Sequence, residues 1–389
     1  MERSICTSRE TAVDKPVSHK NIYNSRIEIN RFKSITKSDN RNTLNIFPDV
    51  GDFRNIFFFR NKQISFYVGD DDFNNKLLNE LILMIFKWLP KKDLVRCTMV
   101  CKRWREIAQN EVLWKNLDLY RKTINEITLE KILSRGVQIL SLAQAKIITS
   151  SIEAAYEHFD NDRTYKLQYL DISMAMILPD NLASLLSRCK HLKKLSLESL
   201  TLNTACCKEL SYCTELTVLN LAMCDGIDLK GILYVLKLRS LTELNLAWCS
   251  LDRKSVVILC EMLPPTIIRL NISGCNEMMD HNVEELVKFC PDIVELDLSD
   301  CTVLTGKAIS SISNLTKLEH LSLSRCHNIS ELSYLELARM PSIEYLDIFN
   351  LLPISVPKKL KVNNFLYSSV ARPTLGNQRG TIWGLRVGN

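Results

Sequence analysis

Fourteen cysteines and six histidines are the residues of this 389-residue chain whose types could hold a metal, exchange electrons or attack an electrophile. Their spacing argues against all three. No C-x-x-C occurs, and Cys97 and Cys101 lie on one helix-like stretch with no second pair or histidine nearby. His19, His158, His191, His281, His320 and His327 are scattered, and none stands beside a nucleophile. Neither a phosphate-cradling G-x-x-x-x-G-K-[ST], nor H-E-x-x-H, nor G-x-G-x-x-G is present. The chain is therefore expected to be non-catalytic, to need no cofactor or metal, and to act by binding.

The totals fit a globular protein: 46% hydrophobic residues and a net charge of +6, too modest to demand a nucleic-acid partner. The opening MERSICTSRE is charged, so no secretory leader is expected, and no apolar run reaches the roughly 18 residues that a membrane helix needs. Reduced thiols follow from that reading.

Binding residues need elements to position them, and a repeat supplies these. LTVLNLAMC (Leu216 to Cys224) and LTELNLAWC (Leu241 to Cys249) are near twins. Aligned on L-x-x-L-x-L, they extend to a series whose second apolar residue falls at Leu170, Leu195, Leu219, Leu244, Leu270, Leu296, Leu321 and Leu346, a period of 24 to 26 residues. Degenerate units precede it around Leu117 and Leu140. This is the signature of leucine-rich repeats. The two closely spaced leucines alternate along a short strand and both enter the core. Between strands, stretches such as NVEELVKFC set Val283, Leu286, Val287 and Cys290 on one helical face. No unit can bury its own apolar face, so units stack. The expected fold is α/β: a curved solenoid with a parallel sheet on its concave side and helices on the convex side. Cys224, Cys249, Cys275, Cys301 and Cys326 close the strand signature, which makes them small buried packing residues.

Two columns of side chains should face the concave side. The residue between the paired leucines reads Asp171, Ser196, Asn220, Asn245, Asn271, Asp297, Ser322 and Asp347, a small polar floor. Nearer the strand end the column reads Met174, Ser199, Met223, Trp248, Gly274, Asp300, Arg325 and Asn350. Trp248, Asp300 and Arg325 stand out there. Adjacent strands lie ~4.8 Å apart, so Asp300 and Arg325 are within reach of each other. Two readings stay open: a surface salt bridge of little worth beside a covered tryptophan, or a binding edge, since Trp and Arg are common interface anchors.

Before the repeats, Leu81, Met84, Ile85 and Trp88 fall on one helical face, and Leu94, Cys97, Cys101 and Trp104 form a second stripe. A small helical domain over 76–119 follows. Leu77, Glu80, Ile85, Phe86, Leu89, Leu94, Val100, Cys101, Lys102, Trp104, Leu113 and Trp114 fit a pattern that closely resembles the F-box, the module that docks on a Skp-family adaptor in cullin-RING ubiquitin ligases. The resemblance implies that apolar residues of this set, Phe86 and Trp114 foremost, pack against the adaptor. Leu78 stands where F-boxes usually have proline. Lys102, Arg103 and Arg105 read as a solvated helix face.

Residues 1–75 lack periodicity and are expected to be mostly disordered, NIFFFR (Asn55 to Arg60) excepted. The repeats are expected over 120–350, with degenerate units from about 113. The tail, 351–389, holds enough apolar residues to pack on something. Its ARPTLGN (Ala371 to Asn377) and IWG (Ile382 to Gly384), with LNLAWC and the F-box, resemble one F-box subfamily, that of S-phase kinase-associated protein 2. The resemblance implies a tail running back along the concave face. It implies a substrate receptor of an SCF ligase that acts with a cullin-RING core and promotes G1/S progression, located in nucleus and cytoplasm. The implied partners are a Skp-family adaptor, a Cks-type accessory subunit and a phosphorylated Cip/Kip-type CDK inhibitor, with neither nucleic acid nor membrane involved. Trp248, Asp300 and Arg325 match positions that contact the Cks subunit in that subfamily, and His327 matches a neighbouring one. The rival readings are an F-box receptor with another client and no Cks, and a repeat scaffold outside any ligase.

Overall fold

The computed structural model describes residues 77–148 and 164–348, apart from 331 and 338, together with the backbone of three short strands in the tail. The N-terminal expectations, including NIFFFR, lie outside the described residues, as do Asn350, ARPTLGN and most of IWG.

Three helices open the described chain: α1 (Asn79–Phe86), α2 (Lys91–Val100) and α3 (Lys102–Ala108), closed by a 3-10 turn (Glu111–Trp114). Pro90 caps α2, where its missing N–H costs nothing. The N-cap of α3 is Cys101, whose Sγ accepts the Trp104 N–H. Ile82 and Phe86 from α1, Leu94 and Cys97 from α2, Ile107 and Ala108 from α3, and Leu113 and Trp114 from the turn form one small core. Phe86 meets Trp104 edge-on with ring centroids 5.2 Å apart, and the Trp114 indole N–H donates to Ala108 O at 2.7 Å. Of the basic run, Lys102 is exposed as expected, while the two arginines are structural. Arg103 donates to Asn79 Oδ1 and Leu77 O, tying α3 to the start of α1, and Arg105 donates to Thr98 O at 2.9 Å.

Strand β1 (Asn116–Asp118) starts two residues after Trp114, so the helical module runs straight into the solenoid. Its first turns are tied in by Gln138 and Ile139 N–H groups donating to Lys115 O and by a Lys166–Glu111 ion pair of 3.0 Å. Among the described residues, β2 (Thr123–Asn125) and β4 (Lys146–Ile148) pair with each other, and eleven strands form one all-parallel sheet. It takes in β1, β3 (Ile139–Ser141), β5 (Tyr169–Asp171), β6 (Lys194–Ser196), β7 (Val218–Asn220), β8 (Glu243–Asn245), β9 (Arg269–Asn271), β10 (Glu295–Asp297), β11 (His320–Ser322), β12 (Tyr345–Asp347) and β13 (Leu366–Ser368). The second leucines stand in register along it, Leu170 beside Leu195, then Leu219, Leu244, Leu270, Leu296, Leu321 and Leu346. All are buried, and with the helix faces they make one continuous core. Tail strand β14 (Thr381–Ile382) pairs with β15 (Leu385–Arg386) and lies next to β5 and β6, the first regular repeats, far from the sheet end where β13 docks.

The cysteines serve this packing. Cys224, Cys249 and Cys326 are buried, and each Sγ donates to a carbonyl one repeat back, that of Leu197, Leu221 and Leu298 respectively, at 3.0–3.2 Å. Burial pushes the Cys249 and Cys326 thiols up to about 12, which keeps them protonated and unreactive.

Candidate functional site

Five of the regular repeats end their strand with the same backbone device. An Asn or Asp between the paired leucines turns its Oδ1 onto the N–H two residues on: Asp171 to Ser173, Asn220 to Ala222, Asn245 to Ala247, Asn271 to Ser273 and Asp297 to Ser299, all at 2.9–3.0 Å. These are Asx turns. The expected polar floor is thus largely internal scaffolding, with Asn220, Asn245, Asn271, Asp297 and Asp347 buried. Burial raises the Asp297 carboxyl to about 6, against the hydrogen bonds it accepts from Ser299 and with a further push from nearby Asp347 and Asp300.

Three residues after the position between the paired leucines, the chain enters the left-handed region in the described repeats. Arg121, Gln144, Met174, Ser199, Met223, Trp248, Asp300 and Arg325 have φ between 55° and 62°, and Gly274 has 75°. That is the whole second column over the described repeats. A side chain in this conformation costs on the order of 1 kcal/mol. The cost is offset by a ladder: Met223, Trp248, Gly274 and Asp300 N–H groups donate to Ala247, Ser273, Ser299 and Ser324 carbonyls in the next repeat at 2.7–2.8 Å. The turn sets these side chains along one edge of the sheet, with Met223 and Trp248 exposed and Asp300 and Arg325 partly buried.

Of the three rim residues singled out from sequence, Asp300 and Arg325 meet in a two-pronged pair, Nε to Oδ1 and Nη2 to Oδ2. Their side chains are only 12% and 21% exposed. The pair is therefore not the loose surface bridge that spacing alone allowed, and truncating either partner strands a largely enclosed charge. Trp248 is 41% exposed and leans across the turn of the following repeat at Gly274. His327 is exposed, and its N–H donates to Arg325 O at 3.1 Å. Behind the rim, Asn271 Nδ2 and Ser273 Oγ are buried without a hydrogen-bond partner.

Sequence reasoning missed a third concave column, the residue just before the second leucine. It includes Lys194, Glu243, Arg269, Glu295, His320 and Tyr345. Arg269 sits between two glutamates, 3.0 Å from Glu243 and 2.9 Å from Glu295. The signal was present in the period-2 alternation, which places residues on both sides of each buried leucine on one face. Arg269 is thus already charge-paired, so the concave strands still lack a basic cluster able to clamp a phosphate alone.

In the helical module the structure separates the twelve motif residues. Phe86, Leu94, Leu113 and Trp114 lie inside the module's own core, and Leu77, Leu89 and Trp104 pack partly buried against it. Their apolar area is already used within the chain, which corrects the expectation of Phe86 and Trp114 as outward anchors. Cys101 is half-buried as the α3 cap, while Glu80, Ile85, Val100 and Lys102 are exposed. The open apolar side chains are instead Leu81, Met84 and Ile85 on α1, with Leu78 just before it and Trp88 just after it, the last 90% exposed. Met99 and Val100 at the end of α2 add further open side chains. Exposed apolar side chains grouped together in this way are the kind of surface that a partner covers.

Comparison with known proteins agrees with both regions. A family model described as the SKP2 LRR domain matches residues 96–388, and the F-box domain model matches 75–116. Lysine-specific demethylase 2B of Mus musculus is 23% identical over 272 residues, 65% of this chain and 18% of that protein, so the chain spans less than a fifth of this curated relative. Among solved structures, a chain of the yeast Rad7 and Elc1 complex is 13% identical with a TM-score of 0.40, covering 92% of this chain and 97% of that one. An internalin (inlF) of Listeria monocytogenes has the same identity and score, covering 68% and 89%.

Proposed function

The chain belongs to the SKP2 LRR domain family and carries an F-box domain in front of it, and from that premise we propose that it is the substrate-recognition subunit of an SCF-type ubiquitin ligase. The observation that carries the reading is the apolar surface on and just after α1 that the described residues leave exposed, built from Leu81, Met84, Ile85 and Trp88. Facing outward from a module with its own finished core, it is a docking surface for a Skp-family adaptor, through which the cullin-RING core would be reached. The direct passage from Trp114 into β1 would then hold the solenoid at a fixed distance from the adaptor, as a receptor that presents a client for modification requires. The chain itself would do no chemistry.

On the solenoid, the rim formed by Trp248, Asp300, Arg325 and His327 would receive a Cks-type accessory subunit. A phosphorylated Cip/Kip-type CDK inhibitor would be held by the two together, and its removal would promote G1/S progression in nucleus and cytoplasm. The charge-paired state of Arg269 and Arg325 supports leaving the phosphate to the accessory subunit. The test is reconstitution of the chain with a Skp-family adaptor, Cks and a phosphorylated inhibitor peptide. Trp248→Ala should weaken Cks association by ~30-fold, about 2 kcal/mol, and leave adaptor binding intact. Adaptor binding with no Cks association in the parent chain would favour a receptor for another client. No adaptor binding at all would leave a repeat scaffold.

A further inference from the structure

Gly274 occupies a place where this fold does not need glycine. Ser199, Met223, Trp248, Asp300 and Arg325 hold the same turn in neighbouring repeats at φ of 58–62° with full side chains. The backbone therefore accepts a Cβ there. At Gly226, by contrast, a Cβ would run into the backbone carbonyl of Leu202, so that glycine answers to the chain's own path. At Gly274 the three atoms nearest to an added Cβ all belong to the Trp248 indole: Cδ2 at 2.5 Å, Cε3 at 2.6 Å and Cε2 at 2.9 Å. The space that a side chain would fill is occupied by the ring of the preceding repeat.

We infer that Gly274 is a positioning residue that seats Trp248, holding its indole against the next turn as a preset aromatic platform on the concave rim for an apolar stretch of a protein partner. Both sides of the arrangement point the same way. Trp248 keeps 41% of its surface exposed although one face lies on Gly274, and an ordered ring gives a partner buried area with little further loss of rotamer freedom. Gly274 thereby becomes a specificity-determining position without touching the partner. The identity of the partner rests on the Cks reading above; the seating of the ring does not.

The test uses the full chain purified with a Skp-family adaptor. Gly274→Ser is the informative variant because Ser199 already stands in this turn. Gly274→Ala adds the methyl alone and gives the same readings should the serine variant fail to fold. The Trp248 signal is isolated from the chain's five tryptophans by subtracting the spectrum of Trp248→Met, a residue that Met223 shows to be tolerated. With Gly274→Ser the Trp248 emission should shift to the red and acrylamide should quench it faster, while the melting temperature stays close to that of the parent chain. Affinity for a purified Cks subunit should fall about tenfold, the cost of ordering one released side chain. In a Trp248→Met background the same substitution should change the affinity no further. An unchanged Trp248 emission and quenching rate in folded Gly274→Ser overturns the seat. A displaced ring with parental Cks affinity, in a chain whose affinity does depend on Trp248, overturns the specificity role. Parental Cks affinity in Trp248→Met instead sinks the Cks reading, and the fluorescence still decides the seat.

Discussion

In the solenoid the second leucine of each of the eight regular repeats is buried, whereas in the helical module α1 is apolar on two faces and the described residues cover only one. The same residue types thus lead to opposite conditions. Stacked repeats supply one another's cover, so the apolar pattern closes on itself. The F-box domain builds a core from Ile82, Phe86, Leu94 and Trp114 and still leaves Leu81, Met84, Ile85 and Trp88 open. The rim of the solenoid follows a third rule. There a left-handed backbone turn recurs from Arg121 to Arg325 and lines up one residue per repeat along the edge of the sheet.

Substitutions at neighbouring positions of α1 would separate these conditions. Phe86 is 2% exposed, and Phe86→Ala should destabilise the helical module by about 3–5 kcal/mol. Helical ellipticity should be lost in an early transition while the solenoid unfolds later. Two residues on, Trp88→Ala should leave melting unchanged and weaken adaptor association by at least ~30-fold, about 2 kcal/mol, in a calorimetric titration. Were Phe86→Ala to bind poorly without unfolding, or Trp88→Ala to bind normally, the two faces of α1 would have been assigned the wrong way round.

A buried carboxylate tests how closed the solenoid is. The Asp297 carboxyl, with a folded value near 6 against an ordinary 3.8, stays protonated longer in the folded chain than in the unfolded one. Folding therefore loses stability as pH rises from about 4 to about 6 and stays lower above that. Asn220, Asn245 and Asn271 make the same Asx turn without a charge. Asp297→Asn should consequently raise stability at pH 7 by about 1–3 kcal/mol. The gain should disappear as pH falls towards 4, as read from urea midpoints across that range. A gain independent of pH would mean that packing, and not ionisation, separates the two side chains.

The smallest effect concerns the departure from the usual F-box pattern. Leu78 is the N-cap of α1 with φ −68° and ψ 152°, close to the φ that proline imposes. The turn keeps the shape of the family pattern without the residue. Leu78→Pro should accordingly stabilise the module by about 0.4–1 kcal/mol through a less free unfolded chain, visible as a modest rise in its melting temperature. A fall would show that the Leu78 side chain or its N–H matters more than its backbone angle.

The solenoid is legible in the repeat period alone, because 24 to 26 residues leave one way to bury L-x-x-L-x-L, and the same alignment puts Trp248, Asp300 and Arg325 together at one edge. The sequence also identified the F-box residues, but not which way they face. Leu81, Met84, Ile85 and Trp88 have the spacing of a core stripe, and so does the pair Ile82 and Phe86. Periodicity shows that two faces are apolar, and only the packing of α2, α3 and Trp114 against one of them decides which is inside. The same holds at the rim. No local pattern shows that Asp300 and Arg325 are mostly enclosed, that Arg269 is charge-paired on both sides, or that Gly274 lies under an indole. Each of these joins residues about 25 positions apart, and such contacts exist only once one repeat has stacked on the next.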